Sequence, residues 1–218
     1  MLNCFQQGRH AMLPETTHDE ASRQEFAKSL KGFIQQALLP GLQPVYERKV
    51  APLFQRENGR AAKNRHDIRH GMVKNSYFQL YASVNRIAQE LLWESTIISV
   101  ERQLPELVAR AKALSASAKT QLVIPENFIP PKYVSAIDIH CMPGGYCTEI
   151  GQDDVSAGVI YDRGVYLYTM GYTGPDNDDM GRSVCNYIKR NMPELKPQRI
   201  LDMGCTVGHS TLPYREYF

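Results

Sequence analysis

The chain has 218 residues, with 25 Lys+Arg against 23 Asp+Glu and a formal net charge of +2. That length accommodates one large domain or two modest ones with a true core, and the balanced charge excludes nucleic acid as a default partner. Five cysteines (Cys4, Cys141, Cys147, Cys185 and Cys205) are scattered, odd in number and without paired spacing, which fits a reducing compartment better than a disulfide framework.

From Thr16 to about Ser115 the periodicity is helical. Phe26, Leu30, Phe33, Ile34, Ala37 and Leu38 follow the three-four-seven spacing of one buried stripe, ended by Pro40-Gly41, with Pro44 suited to the first turn of the next helix. The clearest helix runs through Val73, Tyr77, Tyr81, Val84, Ala88, Leu91 and Leu92. Val100, Leu104, Leu107, Val108, Ala111 and Leu114 predict another, broken or restarted at Pro105. Arg60 to Arg69 is a basic cluster that also contains Asp67, and it reads as a solvated helix face. Residues 1–118 are therefore expected to form a helical bundle.

Ser115 to Thr120 suits a linker. Beyond it, Pro125, Pro130 and Pro131 forbid long helices, and Val134 to Ile139 reads as a short strand. Val159 to Tyr168, centred on Asp162-Arg163-Gly164, reads as a β-hairpin, so residues 119–175 are expected to be a β-containing connecting segment. A helix through Val184, Tyr187 and Ile188 should end near Pro193.

The apolar run Ile200 to Met203 then reads as a strand carrying Asp202 and entering the loop Asp202 to Gly208, DMGCTVG. A strand turning sharply into a helix needs glycines where the backbone takes positive φ or lies against a ligand. The dinucleotide fingerprint would require glycines at 204, 206 and 209, where positions 206 and 209 are Thr and His. The glycines fall instead at Gly204 and Gly208, with an acid two residues before the first. This pattern resembles motif I of the class I S-adenosylmethionine-dependent methyltransferases, with Thr206 in place of the usual middle glycine. The resemblance covers about Met180 to Phe218.

The resemblance implies that residues 176–218 begin a Rossmann-like α/β domain. It also implies that Asp202, Gly204, Cys205, Thr206 and Gly208 hold S-adenosyl-L-methionine. Tyr172, upstream of the loop, is carried over by position as a further cofactor contact. The implied activity is methyl transfer to a small-molecule nucleophile. An open α/β sheet needs more strand–helix units than follow Asp202, so the expectation is the truncated front part of a longer enzyme, inactive alone.

Elsewhere, His66 and His70 stand four apart on a helix, as zinc-binding helices place them, but Asp67 replaces the required glutamate, and a solvated face is expected. His140-Cys141-Met142-Pro143-Gly144-Gly145-Tyr146 is a shaped loop that either closes a hairpin or presents His140 and Tyr146 to a substrate, His140 being the better base. No metal is expected. No apolar run approaches a membrane span and the N-terminus lacks a signal-peptide core, so the expected protein is cytoplasmic, without membrane or nucleic-acid partners. A homodimer remains open. The competing reading is a non-enzymatic helical binding or dimerisation module carrying a remnant of the cofactor loop.

Overall fold

The structure, a computed structural model, describes residues 6–125, 127–136 and 140–218. Helix α1 (His18–Phe33) opens with a capping box: the Thr17 hydroxyl accepts from the Glu20 N–H, and the Glu20 carboxylate accepts from the Thr17 N–H. The helical path then continues through a π segment (Ile34–Leu38), a 3-10 turn (Leu39–Gly41), α2 (Leu42–Val45), a second π segment (Tyr46–Val50) and α3 (Ala51–Asn58). The end expected at Pro40-Gly41 is a 3-10 turn that carries the helical path onward, because its tightened geometry accommodates the missing N–H and the proline ring, while Pro44 lies, as expected, in the first turn of the next helix. Gly59, at φ +65°, ends this run in the left-handed conformation.

Helix α4 (Arg65–Met72) is capped by Asn64, and α5 (Ser76–Glu101) by Asn75, whose side chain accepts from the N–H groups of Tyr77 and Phe78. The 26-residue α5 is the central element. Helix α6 (Leu104–Ser117) restarts with Pro105 in its first turn, and α7 (Lys132–Ser135) is a single turn. Helices α8 (Ser156–Tyr168), α9 (Asp179–Asn191) and α10 (Leu212–Tyr217) complete the chain. Helices α1, α5 and α8 pack pairwise, and α10 packs on α9. The core joins Ala27, Leu92, Trp93, Val100 and Leu107 to Val159, Ile160, Tyr166 and Leu167 of α8.

The architecture corrects the expected fold class. The described residues contain no strand, so the β-containing segment and the Rossmann-like strand are both overturned. Val159 to Tyr168 is helix α8, because Ile160, Gly164 and Leu167 recur on one buried face while Gly164 admits the Trp93 ring. The short strand expected over Val134 to Ile139 is also absent where it is described: its start lies in α7, and residues 137–139 fall outside the described residues. Ile200 to Met203 is irregular, with Leu201 84% and Met203 86% exposed. A strand is defined by its partners, and no neighbouring strand stands beside this segment among the described residues.

The face assigned to α1 is corrected as well. Phe26 (61%) and Phe33 (55%) are exposed, and the buried stripe is Glu20, Gln24, Ala27, Lys31 and Ile34. Each polar member has a partner. Glu20 receives Arg102 Nε at 2.7 Å and Nη2 at 2.8 Å. Gln24 donates to Ser99 Oγ at 3.1 Å, and Lys31 donates to Gln89 Oε1 at 3.0 Å.

The hydrogen bonds from Arg102, aided by the Thr17 N–H and opposed by burial, hold the Glu20 carboxyl at about 2, against its ordinary 4.5. A depressed carboxylate contributes stability that is complete above its unfolded pKa and disappears as pH falls through the folded one. Thermal unfolding should therefore show wild type losing stability between pH 4.5 and about 2 more steeply than Glu20→Gln. Parallel curves would remove the ion pair from the acid response.

Candidate functional site

The glycine loop is tied at its two ends. Asp202 Oδ2 accepts from Thr211 Oγ1 at 2.5 Å, and Gly208 N donates to Cys205 O at 2.8 Å. Left-handed backbone recurs through it, at Gly204 (φ +81°), Thr206 (φ +51°) and Gly208 (φ +94°). Thr206 thus adopts, at the motif's middle-glycine position, a conformation that costs a residue with a Cβ about 1–2 kcal/mol. The N–H groups of Thr206 and Val207 have no hydrogen-bond acceptor among the described residues. Helix α9 comes close behind the loop: a Cβ on Gly181 would lie 2.7 Å from Ser210 O.

The loop rests on α8 through Val207, whose Cγ1 lies 3.6 Å from where a Cβ on Gly158 would be. Beside this contact opens a cleft of about 320 Å³ lined by His140, Tyr146, Ala157, Gly158, Tyr161, Thr206 and Val207. Two sequence-derived groups, the loop and the His140–Tyr146 pair, therefore share one cavity. The His140 carbonyl is fixed by Trp93 Nε1 at 2.7 Å and Gln89 Nε2 at 3.1 Å, both from α5. Tyr146 Oη and His140 Nδ1 are 3.0 Å apart. Tyr146 meets Tyr161 edge-to-face at 5.8 Å, and Tyr161 stacks on His209 at 6.2 Å. Asp202, Gly204, Cys205 and Gly208 lie outside the cleft lining, and of the expected cofactor residues only Thr206 belongs to it. Tyr172 is exposed in the turn after α8 and lines neither this cleft nor the larger one behind it.

Behind Val207 a second cleft, of about 640 Å³, runs between the N-terminal segment and α6, α8, α9 and α10. Its polar end is centred on Asp162. Oδ1 lies 2.6 Å from His209 Nε2, while Oδ2 lies 3.1 Å from His10 Nε2 and accepts from Gln7 Nε2 at 2.8 Å. The Asp162 and His209 side chains are only 15% and 14% exposed. Burial pushes the Asp162 carboxyl up, but the hydrogen bond from His209 and the two imidazoles outweigh it and hold the group below its ordinary range. Gln7 continues the network to Arg163 Nη1 at 2.9 Å, and Arg163 donates to Gln24 Oε1 at 3.0 and 2.8 Å. The Arg163 guanidinium is thus received by glutamine oxygens in the bundle, and burial lowers its pKa.

Neither Asp162 nor His209 was singled out as a site residue in the sequence. Asp162 falls in the expected hairpin turn, and the helical spacing of α8 is the signal that places it beside the loop. His66 and His70 lie on α4, with Asp67 bound by Arg60 at 2.7 and 3.1 Å. The described residues hold no group of three or more His, Cys, Asp or Glu placed to bind a metal ion, and no helix long and apolar enough to cross a membrane. No family model, no curated protein and no solved structure matches this chain.

Proposed function

We propose that the chain binds S-adenosylmethionine against the Asp202–Gly208 loop and serves methyl transfer to a small molecule. The carrying observation is the cleft in which Thr206 and Val207 of the loop face His140 and Tyr146. Its donor set suits the cofactor. The uncommitted N–H groups of Thr206 and Val207 match a carboxylate, and the Tyr146 and Tyr161 rings favour a sulfonium cation through their π faces. When bound, the cofactor supplies an electrophilic methyl group.

The protein's contribution is positional. Asp202 holds the loop's curvature by accepting from Thr211, which fixes where Thr206 and Val207 meet the ligand. His140 and Tyr146 line the wall across from the loop, where they contact whichever molecule enters the cleft.

Titration with S-adenosylhomocysteine is expected to shift the Gly204 to Gly208 amide resonances of the protein. Asp202→Ala removes the acceptor that ties the loop to Thr211, and should weaken binding about tenfold, equivalent to about 1.4 kcal/mol. Loop amides that stay fixed at millimolar ligand would overturn the reading.

A further inference from the structure

We propose that the larger cleft behind Val207 receives the methyl acceptor, a neutral small molecule with an apolar body and a phenol-like hydroxyl, and that His209, positioned by Asp162, takes its proton. This inference rests on the methyl-transfer reading.

The cleft's volume, about 640 Å³, falls within the range of small-molecule sites. Met12, Leu114, Val155, Val159 and Leu212 supply an apolar wall, and Asp162 and His209 stand together at the polar end. An ionised carboxylate only accepts hydrogen bonds, so Asp162 fixes the tautomer in which His209 Nε2 carries the proton and donates. The lone pair of the neutral imidazole is then on Nδ1, which has no hydrogen-bond partner among the described residues. The stacked Tyr161 ring sets the plane of the imidazole. This is the arrangement of a base held by a third group.

Position links the base to the loop. His209 directly follows Gly208, and Val207 and Gly158 line both clefts, so the acceptor site adjoins the cofactor site. The cleft's charges set the ligand class. Besides Asp162 and His209, the charged or titratable groups lining the cleft are His10, Asp176, Asp178, Arg182 and Glu216, and the Tyr161 phenol ring stacks on His209. Arg182 is held by Asp178 at 2.7 Å and by Glu216 at 2.9 Å, so it is committed and no match for an anionic acceptor. A protonated amine has no lone pair for the methyl carbon until its proton has gone, whereas a hydroxyl oxygen already has one and transfers its proton as it reacts. In that step the acceptor O–H proton passes to Nδ1 and the oxygen–methyl bond forms. The methyl–sulfur bond breaks with its electron pair left on sulfur, and Asp162 balances the imidazolium.

The test uses the whole chain without cofactor and three probes of similar shape: phenol, toluene and benzoate. Phenol should shift both the His209 imidazole resonances and the methyl resonances of Val159 and Leu212. Toluene should shift the methyls alone, and benzoate neither. Phenol should bind about fivefold tighter than toluene, the worth of one net hydrogen bond, and His209→Gln should bring the two within about twofold. The wild-type comparison stands even where the variant fails to fold. Imidazole resonances unmoved by phenol, benzoate binding as tightly as phenol, or a phenol preference that survives in folded His209→Gln would each overturn the proposal. Failure of the cofactor reading is separate, since it is read on the Gly204 to Gly208 amides with S-adenosylhomocysteine alone.

Discussion

Trp93→Ala is expected to destabilise the protein by about 3–5 kcal/mol, the usual cost of truncating a large core aromatic. Trp93 is almost wholly buried at the centre of the core shared by α5 and α8. The substitution opens a cavity there and removes the indole N–H bonded to the His140 carbonyl at 2.7 Å. The effect should therefore be double: a lower urea midpoint, and a His140 carbonyl that keeps only Gln89 of its two donors from α5. A loss below about 1 kcal/mol would remove Trp93 from the core, because even a small buried truncation costs that much.

Gly164→Ala carries an unusual expected sign. In an exposed helix interior, alanine is more favourable than glycine by about 1 kcal/mol. In α8 the added Cβ would lie 2.2 Å from Trp93 Cζ3 and 2.8 Å from Cε3, inside a ring that packing and its hydrogen bond hold in place. The expected net result is destabilisation by about 1–3 kcal/mol, the range for overpacking. Trp93→Leu in the same chain should recover part of it, since contacting residues are non-additive. Chemical denaturation of the single and double variants decides the matter, and stabilisation by Gly164→Ala would mean that α8 and α5 do not meet here.

These two residues also show what the sequence discloses. The long helix α5 is legible because its apolar residues keep one face over many turns, and the restart at Pro105 follows from the missing proline N–H. Helix α8 is not legible in the same way. Two short apolar runs on either side of Asp162-Arg163-Gly164 fit a hairpin and a helix equally well, and only the ring of Trp93, seventy-odd residues earlier, explains the glycine. The buried face of α1 is hidden for a related reason. Gln24, Glu20 and Lys31 are tolerated inside because Ser99, Arg102 and Gln89 from α5 meet them, and periodicity along one helix contains no such partner. At the loop, the glycine spacing correctly marks where positive φ occurs, but an apolar run such as Ile200 to Met203 becomes a strand only beside another strand. Asp162 and His209 are invisible individually, and they acquire meaning only when α8 brings them within 2.6 Å.

The Asp162 cluster has a consequence for the order in which the molecule is made. Its carboxylate is joined to Gln7 and His10, 155 and 152 positions away, and to His209, 47 positions away. Closing such long loops is entropically unfavourable until the intervening helices have docked. During synthesis, α1 and α5 are able to pair while α8 is still unmade, and α8 is able to join them before His209 leaves the ribosome. The two clefts are therefore completed only after the helices, when the segment carrying His209 is drawn onto a scaffold already standing.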